Sequence, residues 1–325
     1  MIPEELKATL KKQHYILVGK NSGVQICRWT KKSLINEGSC YKEKFYGIKS
    51  HLCCQMTPSV AWCDNKCLHC WRAVELTLGN KIKGKTDSPK EIIDGCIKAQ
   101  RKLLNGFGSN KKLDKKKFEE AKEPMQFAIS LSGEPMIYNK IGELIAELRK
   151  RKKTSFLVSN GLHPEKLKEL IKKKQLPTQL YISVNTSNEE IYNKFHRSSM
   201  KNAWKKLNQT LELMSKLKGK TRTVVRINLV KDLNMDDKMI KEYSELIKKA
   251  NPVFIEIKGY MAVGFARQRL GYERMPWHED IKDFSKKLVN ELNKLKLKYK
   301  FLDEQEYSRV VLLGKSKKEM KIRKI

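Results

Sequence analysis

Three closely spaced cysteines carry the most specific chemistry in this sequence of 325 residues. Cys63, Cys67 and Cys70 follow the pattern C-x3-C-x2-C, which puts three thiols on one short loop. Three such thiolates can bind three irons of a [4Fe–4S] cluster and leave the fourth iron without a protein ligand. An open coordination position favours catalysis, since structural metal sites are closed. The alternatives are three unrelated thiols or a zinc site, for which His69 lies too close between two cysteines to serve easily as fourth ligand.

Cys27, Cys40 and Cys53 are candidate ligands of a second metal site. They are evenly spaced along a segment with few helix signals, so distant loops would have to bring them together. Wide spacing carries little geometric information. From spacing alone, isolated reduced thiols in small apolar niches are therefore the simpler interpretation.

Two lysines follow closely on Cys40. In the run Cys40–Ile48 polar and aromatic residues alternate, which predicts a half-buried strand with Lys42 and Lys44 on one face. A lysine held beside a metal cluster can act as a nucleophile or form a Schiff base with a carbonyl compound. Because the chain holds 69 lysines and arginines, a solvated surface position is the alternative for either one.

After the cysteine loop the chain alternates between apolar strands and amphipathic helices. One strand is predicted just before Cys63, and the others span 126–132, 154–159, 179–184, 223–230, 253–258 and 310–313. Helices are predicted over 89–104, 139–152, 163–174, 187–196, 201–218, 236–250 and 277–298. Such alternation is typical of βαβ units around a parallel sheet. About six units, where a closed barrel has eight, predict an α/β fold with a partial (β/α)6 TIM-like barrel.

The sequence shows no internal repeat and no clear boundary between two domains. We divide it into an N-terminal extension, residues 1–50, and a core of residues 51–325 that ends in a C-terminal helix and tail. The extension holds Cys27 and Cys40, so it would contribute ligands to the second metal site.

Polar residues and glycines gather where the predicted strands end. In barrels of this kind the catalytic groups lie on the loops after the strands. The residues at these positions are Ser132, Gly133 and Glu134 after the second strand, Ser159 and Asn160 after the third, Asn185 after the fourth, Arg226 and Asn228 on the fifth, and Gly259 after the sixth. Each signal is weak alone, since a Ser-Asn-Gly run is usually only a turn. Together they indicate one ligand pocket beneath the cysteine loop, in which a glycine lets the backbone approach a ligand closely.

The chain carries a large excess of positive charge. Lys+Arg number 69 against 36 Asp+Glu, a formal net charge of +33. This excess favours a polyanionic partner, most simply nucleic acid. The alternative is the lysine-rich surface of a hyperthermophilic protein, but acidic residues rise together with lysine there and do not here.

Two segments are candidate nucleic-acid contacts. Arg267, Arg269 and Arg274 alternate with aromatic residues, which suits the stacking and phosphate contacts of a looped RNA. A solvated loop before the last helix is an equal alternative. The segment His196–Ser199 lies between two predicted helices and is expected to cap a helix rather than to bind phosphate.

The sequence has no run of about 18 apolar residues and no signal-peptide pattern at its N-terminus. We therefore expect a cytoplasmic protein with no membrane partner. Eight cysteines in that compartment favour metal or redox chemistry over disulfides.

The cysteine loop and the strand-end residues together resemble those of the radical S-adenosylmethionine (SAM) enzymes. In that family the open iron chelates the amino and carboxylate groups of SAM, and the residue before the last cysteine is typically aromatic, as His69 is here. A G-G-E-type motif contacts the SAM amino group, and Ser132–Pro135 resembles it with serine in place of the first glycine. In this resemblance Glu134 would pair with the ammonium group.

A closer resemblance, to the 4-demethylwyosine synthases of tRNA wybutosine synthesis in their shorter archaeal form, covers most of the chain. It rests on Cys40–Ile48, Ser50–Pro58, Ala61–Arg72, Ser132–Pro135 and Ser159–Gly161. It implies two [4Fe–4S] clusters, and an external electron donor such as flavodoxin or ferredoxin. The protein is expected to act as a monomer.

The closer resemblance also assigns the individual residues. Cys63, Cys67 and Cys70 would bind the cluster that holds SAM, whereas Cys27, Cys40 and Cys53 would bind the second, with Cys54 and Cys96 as spare thiols. In the pocket inferred from the strand ends, the residues in contact with SAM would be Ser132, Gly133, Glu134, Ser159, Asn160, Asn185, Arg226, Asn228 and Gly259.

The substrates implied are tRNA-Phe carrying N1-methylguanosine beside the anticodon, and pyruvate as the two-carbon donor. A 5′-deoxyadenosyl radical from SAM would take hydrogen from the N1-methyl group. The carbon radical would attack C2 of pyruvate with loss of the carboxyl carbon, and ring closure would give the tricyclic base. Pyruvate would be held by the second cluster or as an imine with Lys42, with Lys44 as the alternative. Two other functions stay open, namely a different two-cluster radical SAM enzyme and a non-catalytic zinc- and RNA-binding protein.

Overall fold

One ten-stranded sheet forms the centre of the computed structural model, which describes residues 2–322. Its strands are β1 (Ile16–Val18), β2 (Ser22–Gln25), β3 (Cys53–Thr57), β4 (Gln126–Ile129), β5 (Thr154–Ser159), β6 (Gln179–Ser183), β7 (Arg222–Leu229), β8 (Phe254–Gly259), β9 (Lys300–Gln305) and β10 (Val310–Gly314). They lie in the order β1-β2-β3-β4-β5-β6-β7-β8-β10-β9. All neighbours from β3 to β8 pair in parallel, which confirms the predicted partial (β/α)6 barrel.

Antiparallel strands extend the parallel sheet at both edges. Strands β1 and β2 continue it beyond β3, while β10 and β9 continue it beyond β8. Because β1 and β9 end the strand order, the barrel is open. The sequence predicts neither β2 nor β9, since β2 has only four residues and β9 is mostly polar. Residues of the predicted N-terminal extension and of the core thus share one sheet.

Helices surround the sheet, and the longer ones cover its outer face. They are α1 (Glu4–Lys12), α2 (Arg28–Leu34), α3 (Tyr41–Tyr46), α4 (Pro89–Leu104), α5 (Lys115–Ala121), α6 (Ile141–Lys150), α7 (Pro164–Lys172), α8 (Glu189–His196), α9 (Ala203–Ser215), α10 (Met239–Ala250), α11 (Gly264–Leu270) and α12 (His278–Lys294). Helix α4 begins as predicted because Ser88 and Glu91 cap each other reciprocally. The sequence does not predict α2, α5 and α11, because a segment of seven residues shows little periodicity. Within residues 2–322, every helix is too short or too polar to span a lipid bilayer.

Along each strand, residues that point outward pack against the helices, and the residues between them point into the barrel, where they can bind a ligand. On β7, Val225 and Ile227 belong to the apolar core beneath the helices, whereas Arg226 and Asn228 face the inside of the open barrel. The period of two therefore separates the residues that stabilise the fold from those that can bind a ligand.

The run Cys40–Ile48 forms a helix, so the prediction of a strand there is wrong. Helix α3 spans Tyr41–Tyr46 and ends at Gly47, whose φ of 74° lies in the left-handed region. Its aromatic residues have helical spacing and pack into the amino end of the barrel, which overrides the apparent alternation. Lys42 and Lys44 point to different sides, since residues two apart in a helix differ by about 200°.

Candidate active site

A cavity of about 380 Å³, which we call the upper cavity, lies at the carboxyl ends of the parallel strands. This volume falls within the ~300–1,000 Å³ of small-molecule sites. Its walls include the upper cysteines, which are Cys63, Cys67 and Cys70. They also include all nine strand-end residues named from the sequence: Ser132, Gly133, Glu134, Ser159, Asn160, Asn185, Arg226, Asn228 and Gly259. The fold thus brings the whole set together, although its members are far apart in sequence.

The end of α8 holds the cysteine loop in place. Lys66 N donates to His196 O at 3.0 Å, and Ser199 N donates to Asp64 O at 2.8 Å. The Ser199 hydroxyl also donates to Asp64 O, at 3.1 Å. The prediction that His196–Ser199 caps a helix is confirmed, because Arg197 ends α8 with φ of 45° and its backbone N–H donates to Asn193 O at 3.1 Å. The two serines of the segment also bond to the cysteine loop, which lies far away in the sequence.

Arg269 braces the same loop with its guanidinium. Nε donates to Leu68 O at 3.1 Å, and Nη2 donates to Cys70 O and to Arg72 O. Nη1 pairs with the Glu75 carboxylate at 3.0 Å. Arg269, one of the candidate RNA contacts, therefore has its guanidinium engaged in contacts within the protein.

Asp64 ties the loop to the neighbouring strand ends. Its buried Oδ2 accepts from Asn160 Nδ2 and from His163 Nε2, both at 2.9 Å. Burial opposes protonation of His163, but the hydrogen bond and charge of Asp64 outweigh it and raise the pKa of His163. Sequence reasoning missed Asp64 and His163, and the only signal was an acidic residue directly after Cys63.

Glu134 is buried at the wall of the upper cavity, and burial raises its pKa to about 7. Its Oε1 accepts from Met136 N at 2.9 Å and its Oε2 from Asn160 N at 2.6 Å. A carboxylate has about four acceptor sites, so capacity remains for an ammonium group. At Gly133, with φ of 65°, an added Cβ would lie 1.9 Å from Ser59 O, so only glycine allows this close backbone approach.

His69 presents a neutral aromatic ring to the upper cavity. It stacks on Phe195 with ring centres 4.9 Å apart, and burial lowers the pKa of His69 to about 3. Its Nδ1 and the Oδ1 of Asn65 are buried polar atoms without a partner among residues 2–322. Because both residues line the cavity, these atoms fit a site whose remaining partners come from a bound group.

A second group of thiols lies at the amino ends of the strands, in a region we call the lower site. The lower cysteines are Cys27, Cys40 and Cys53, which respectively precede α2, precede α3 and open β3. Burial, and then the nearby Cys27 thiol, raise the pKa of Cys40 and of Cys53 to about 12. The three thiols are thus neighbours, although their spacing gave no sign of it.

Within residues 2–322, no three side chains of His, Cys, Asp or Glu converge closely enough to hold one metal ion.

The two candidate lysines have different surroundings. Lys42 Nζ lies inside the barrel, 4.9 Å from the ring centre of Phe156 and 4.7 Å from that of Tyr181. Lys44 Nζ pairs with Asp303 at 2.8 Å, and its side chain is 49% exposed. Only Lys42 faces the interior beside the lower cysteines.

Two charged residues of β8, the buried Glu256 and the half-buried Lys258, connect the lower site to the upper cavity. Glu256 accepts from the hydroxyls of Tyr41 at 2.9 Å and Tyr46 at 2.7 Å, which fixes α3 against the sheet. Lys258 lines the upper cavity, and its Nζ lies 4.4 Å from the Tyr41 ring centre. Burial, and then Arg226, lower the pKa of Lys258 to about 7. Sequence reasoning missed both, although polar residues at every second position of an apolar strand were a signal.

Family models cover most of the chain. Residues 57–243 match the radical SAM superfamily, and residues 249–315 match a family described as wyosine base formation. The partial barrel with its cysteine loop is thus that of a radical SAM enzyme, a class that implies SAM and one [4Fe–4S] cluster. The donor set fits both, since three thiols and convergent polar groups line one cavity.

Individual relatives narrow this class. The S-adenosyl-L-methionine-dependent tRNA 4-demethylwyosine synthase of Pyrococcus abyssi (strain GE5 / Orsay) is 49% identical over 312 residues, which are 96% of this chain and 89% of that protein. The chain belongs to the family of tRNA 4-demethylwyosine synthases. It is therefore an enzyme, which sets aside the alternative of a non-catalytic zinc- and RNA-binding protein.

Solved structures agree with this membership. One described as TYW1 with a lysine-pyruvate adduct bound has a TM-score of 0.85 and 35% identity, and the match covers 99% of this chain and 98% of that one. Another, described as archaeal TYW1, has a TM-score of 0.77 and 33% identity, with 97% of each chain covered.

Proposed function

We propose that this tRNA 4-demethylwyosine synthase acts on N1-methylguanosine next to the anticodon of tRNA-Phe and holds its two-carbon donor, pyruvate, as an imine with Lys42. The observation that carries this proposal is the position of the Lys42 amino group inside the barrel, between the lower cysteines and the upper cavity. A lysine–pyruvate adduct in a structure with a TM-score of 0.85 supports it. Of the two options for pyruvate, imine formation is therefore favoured over binding to a cluster alone.

The imine requires an attack by the Lys42 amine on the C2 carbonyl of pyruvate, with loss of one water molecule. The aromatic rings around Lys42 exclude bulk water, which favours the condensed product. Arg226 and Lys258 are inward cations at the boundary between the two regions, so they suit the carboxylate of pyruvate. Lys44 is unsuited to this role, because its amine is already paired at the surface.

The upper cavity would hold SAM and the first cluster. The upper cysteines would bind the cluster, which when reduced supplies the electron that cleaves SAM to a radical. Glu134 would accept from the ammonium group of SAM, and the amide and hydroxyl groups of Ser159, Asn160 and Asn185 would orient its polar parts. The positive φ of Gly133 would let the backbone come close to SAM.

The lower cysteines would bind a second [4Fe–4S] cluster. Their shared neighbourhood and their origin from three separate elements support this, because no simpler packing reason assembles three thiols beside a lysine. In this proposal residues 1–50 act as the segment that supplies Cys27 and Cys40, while the core begins at residue 51 and supplies Cys53. Electrons would come from an external donor such as flavodoxin or ferredoxin.

The test is to trap the imine in wild type, Lys42→Ala and Lys44→Ala. Each protein is incubated anaerobically with pyruvate, reduced with cyanoborohydride and measured by mass spectrometry. We expect wild type and Lys44→Ala to gain the mass of a reduced pyruvate adduct and to form the tricyclic base. Lys42→Ala should gain no adduct and lose at least about a hundredfold in product formation, since covalent catalysis is removed.

A tricyclic product formed at the wild-type rate by Lys42→Ala would exclude the imine role. Iron content and SAM cleavage serve as controls, because a loss of either would mean that the substitution damaged a cluster and not the pyruvate site.

A further inference from the structure

The most exposed aromatic side chains lie in the connections between β8 and β9 and between β9 and β10. Tyr272, Trp277 and Tyr307 are 59%, 63% and 85% exposed, the highest values among the large hydrophobic side chains of residues 2–322. All three lie within residues 249–315, the segment that matches the wyosine family. Solvent-exposed aromatic clusters indicate a surface that binds a partner.

Trp277 lies next to the wall of the upper cavity. Arg309 links the two, because its Nη1 donates to Pro276 O at 2.7 Å and its carbonyl accepts from Gly259 N at 2.9 Å. Gly259 itself lines the cavity, and a Cβ added there would meet Pro276 Cγ at 3.2 Å. The exposed ring of Trp277 therefore lies on the rim beside the upper cavity.

Each of two rim aromatics is paired with an arginine. The guanidinium of Arg309 lies 4.6 Å from the ring centre of Trp277, and that of Arg267 lies 5.8 Å from Tyr272. Unstacked bases bind to aromatic faces, and adjacent arginines contact the phosphates. The net charge of +33 favours RNA over a protein as the occupant.

We propose that Trp277, backed by Arg309, is a stacking platform for an unpaired base of the tRNA anticodon loop that flanks the modified nucleotide. This proposal rests on the proposed function, since it assumes that the target base enters the upper cavity. In this proposal the rim binds the anticodon loop with little dependence on its base sequence, and the reaction takes place in the upper cavity.

The test measures the dissociation constants of two RNA probes, an anticodon stem–loop and the same stem closed as a continuous duplex. We expect Trp277→Ala to weaken binding of the stem–loop about tenfold, to leave the duplex unchanged, and Trp277→Phe to keep most of the affinity. Phe301→Ala is the matched control. Phe301 is 39% exposed but pairs across β10 toward the amino end of β8, away from the rim.

Equal stem–loop affinity of Trp277→Ala and wild type would overturn the platform, provided that wild type forms the tricyclic base. A wild-type protein that forms no such base from the tRNA would instead overturn the proposed function, and the platform with it. Pyruvate adduct formation by Trp277→Ala shows that the variant is folded.

An independent observation concerns His196, whose ring is buried against the cysteine loop. Its Nδ1 lies 3.0 Å from Cys67 Sγ, whereas its Nε2 has no partner among residues 2–322. The ring is enclosed by aromatic neighbours, with Tyr192 at 4.5 Å between ring centres. A buried unpaired N–H is more costly than a buried unpaired lone pair, so the proton belongs on Nδ1. Nδ1–H then donates to the sulfur.

We infer that His196 is a positioning residue that sets the reduction potential of the cluster on the upper cysteines. A hydrogen bond to a cluster thiolate withdraws negative charge, which favours the reduced state and makes the potential less negative. The N–H···S contact thus eases the electron transfer that begins SAM cleavage.

The test is a redox titration of the upper cluster, monitored by electron paramagnetic resonance, in a background without the lower cysteines. We expect His196→Phe to shift the midpoint potential to a more negative value and His196→Gln, which retains an N–H donor, to restore part of it. Trp204→Phe is the control, because this ring packs on Tyr192 rather than on His196 and its substitution should leave the potential unchanged. A wild-type potential in fully iron-loaded His196→Phe would overturn the inference. If that variant loses iron, a His196→Gln potential equal to that of a His196→Ala variant would overturn it.

Discussion

The upper cysteines and the lower cysteines differ in how the chain brings them together. The upper cysteines share one loop, so the spacing C-x3-C-x2-C by itself restricts their geometry. The lower cysteines come from three separate elements, so their approach depends on how α2, α3 and β3 pack. A local motif therefore reveals its chemistry in the sequence, whereas a dispersed set of ligands is recognised only in the tertiary fold.

The surroundings of the two groups differ as well. The upper cavity is lined with polar strand-end residues and opens toward the rim, as a site for exchangeable ligands must. At the lower site α3 packs against the inner strands, and Tyr41 and Tyr46 are fixed there by Glu256. The lower cysteines are half-buried, so this packing shields a covalent intermediate from water in part.

The largest effect is expected from the upper cysteines. Substitution of Cys63, Cys67 and Cys70 by alanine should abolish SAM cleavage, because no group would remain to bind the reducing cluster. Iron content after anaerobic reconstitution should fall from about eight to about four. The measurement is iron and sulfide analysis together with 5′-deoxyadenosine formation. Retention of SAM cleavage would contradict the assignment.

Removal of the lower cysteines should abolish formation of the tricyclic base and leave SAM cleavage intact. In Cys27→Ala/Cys40→Ala/Cys53→Ala we expect about four irons instead of about eight, continued SAM cleavage and loss of the tricyclic base. The matched control replaces the buried thiols Cys54 and Cys96, which should leave the iron content unchanged. About four irons in both the wild type and the triple variant would mean that the chain has a single cluster.

Asp64→Ala should have a smaller effect that is confined to the upper site. The substitution leaves Asn160 and His163 without their shared acceptor, and loss of such supporting contacts costs about 10–100-fold in metal affinity or activity. The readouts are iron bound to a variant without the lower cysteines, and the rate of SAM cleavage. Asp94→Ala is the control, since Asp94 pairs with Arg151 at the surface and should have little effect. Equal iron content and equal rates of SAM cleavage in the two variants would show that the Asp64 contacts are dispensable.

The smallest effects should appear in the pH dependence of stability, with opposite sign for two groups that both line the upper cavity. Glu134 has a pKa raised from 4.5 to about 7, so its stabilising contribution is present below 4.5 and is lost as pH rises through 7. Lys258 has a pKa lowered from 10.5 to about 7, so its contribution is present above 10.5 and is lost as pH falls toward 7. A shift of one pKa unit corresponds to about 1.4 kcal/mol, so each contribution amounts to a few kcal/mol at most.

Thermal unfolding of reconstituted protein measures these contributions. Glu134→Gln should flatten the dependence of the melting temperature on pH between 4.5 and 7, and Lys258→Met should flatten it between 7 and 10.5. Parallel curves for wild type and both variants would show that neither group titrates in these ranges.

The parallel half of the fold was predictable because its signals are local. The strand Thr154–Ser159 has an apolar centre of three residues, and α4 begins at a proline behind a serine cap, so both match the prediction in their bounds. The helix over Cys40–Ile48 was not predictable, since its aromatic spacing fits either period and only packing into the barrel selects the helix. Glu256 and Lys258 were not predictable for the same reason, because their role depends on contacts with Tyr41, which only the tertiary packing brings near them.

By itself, the sequence determined the cysteine loop, the six parallel units and the strand ends that carry the ligand-binding residues, because each depends on neighbours within a few residues. Only the tertiary structure decided which lysine faces the interior, which thiols meet in the lower site, and that His196 and Asp64 support the cysteine loop. The physical reason is that these contacts join residues far apart along the chain, and their distances are set by the packing of helices on the sheet and not by spacing.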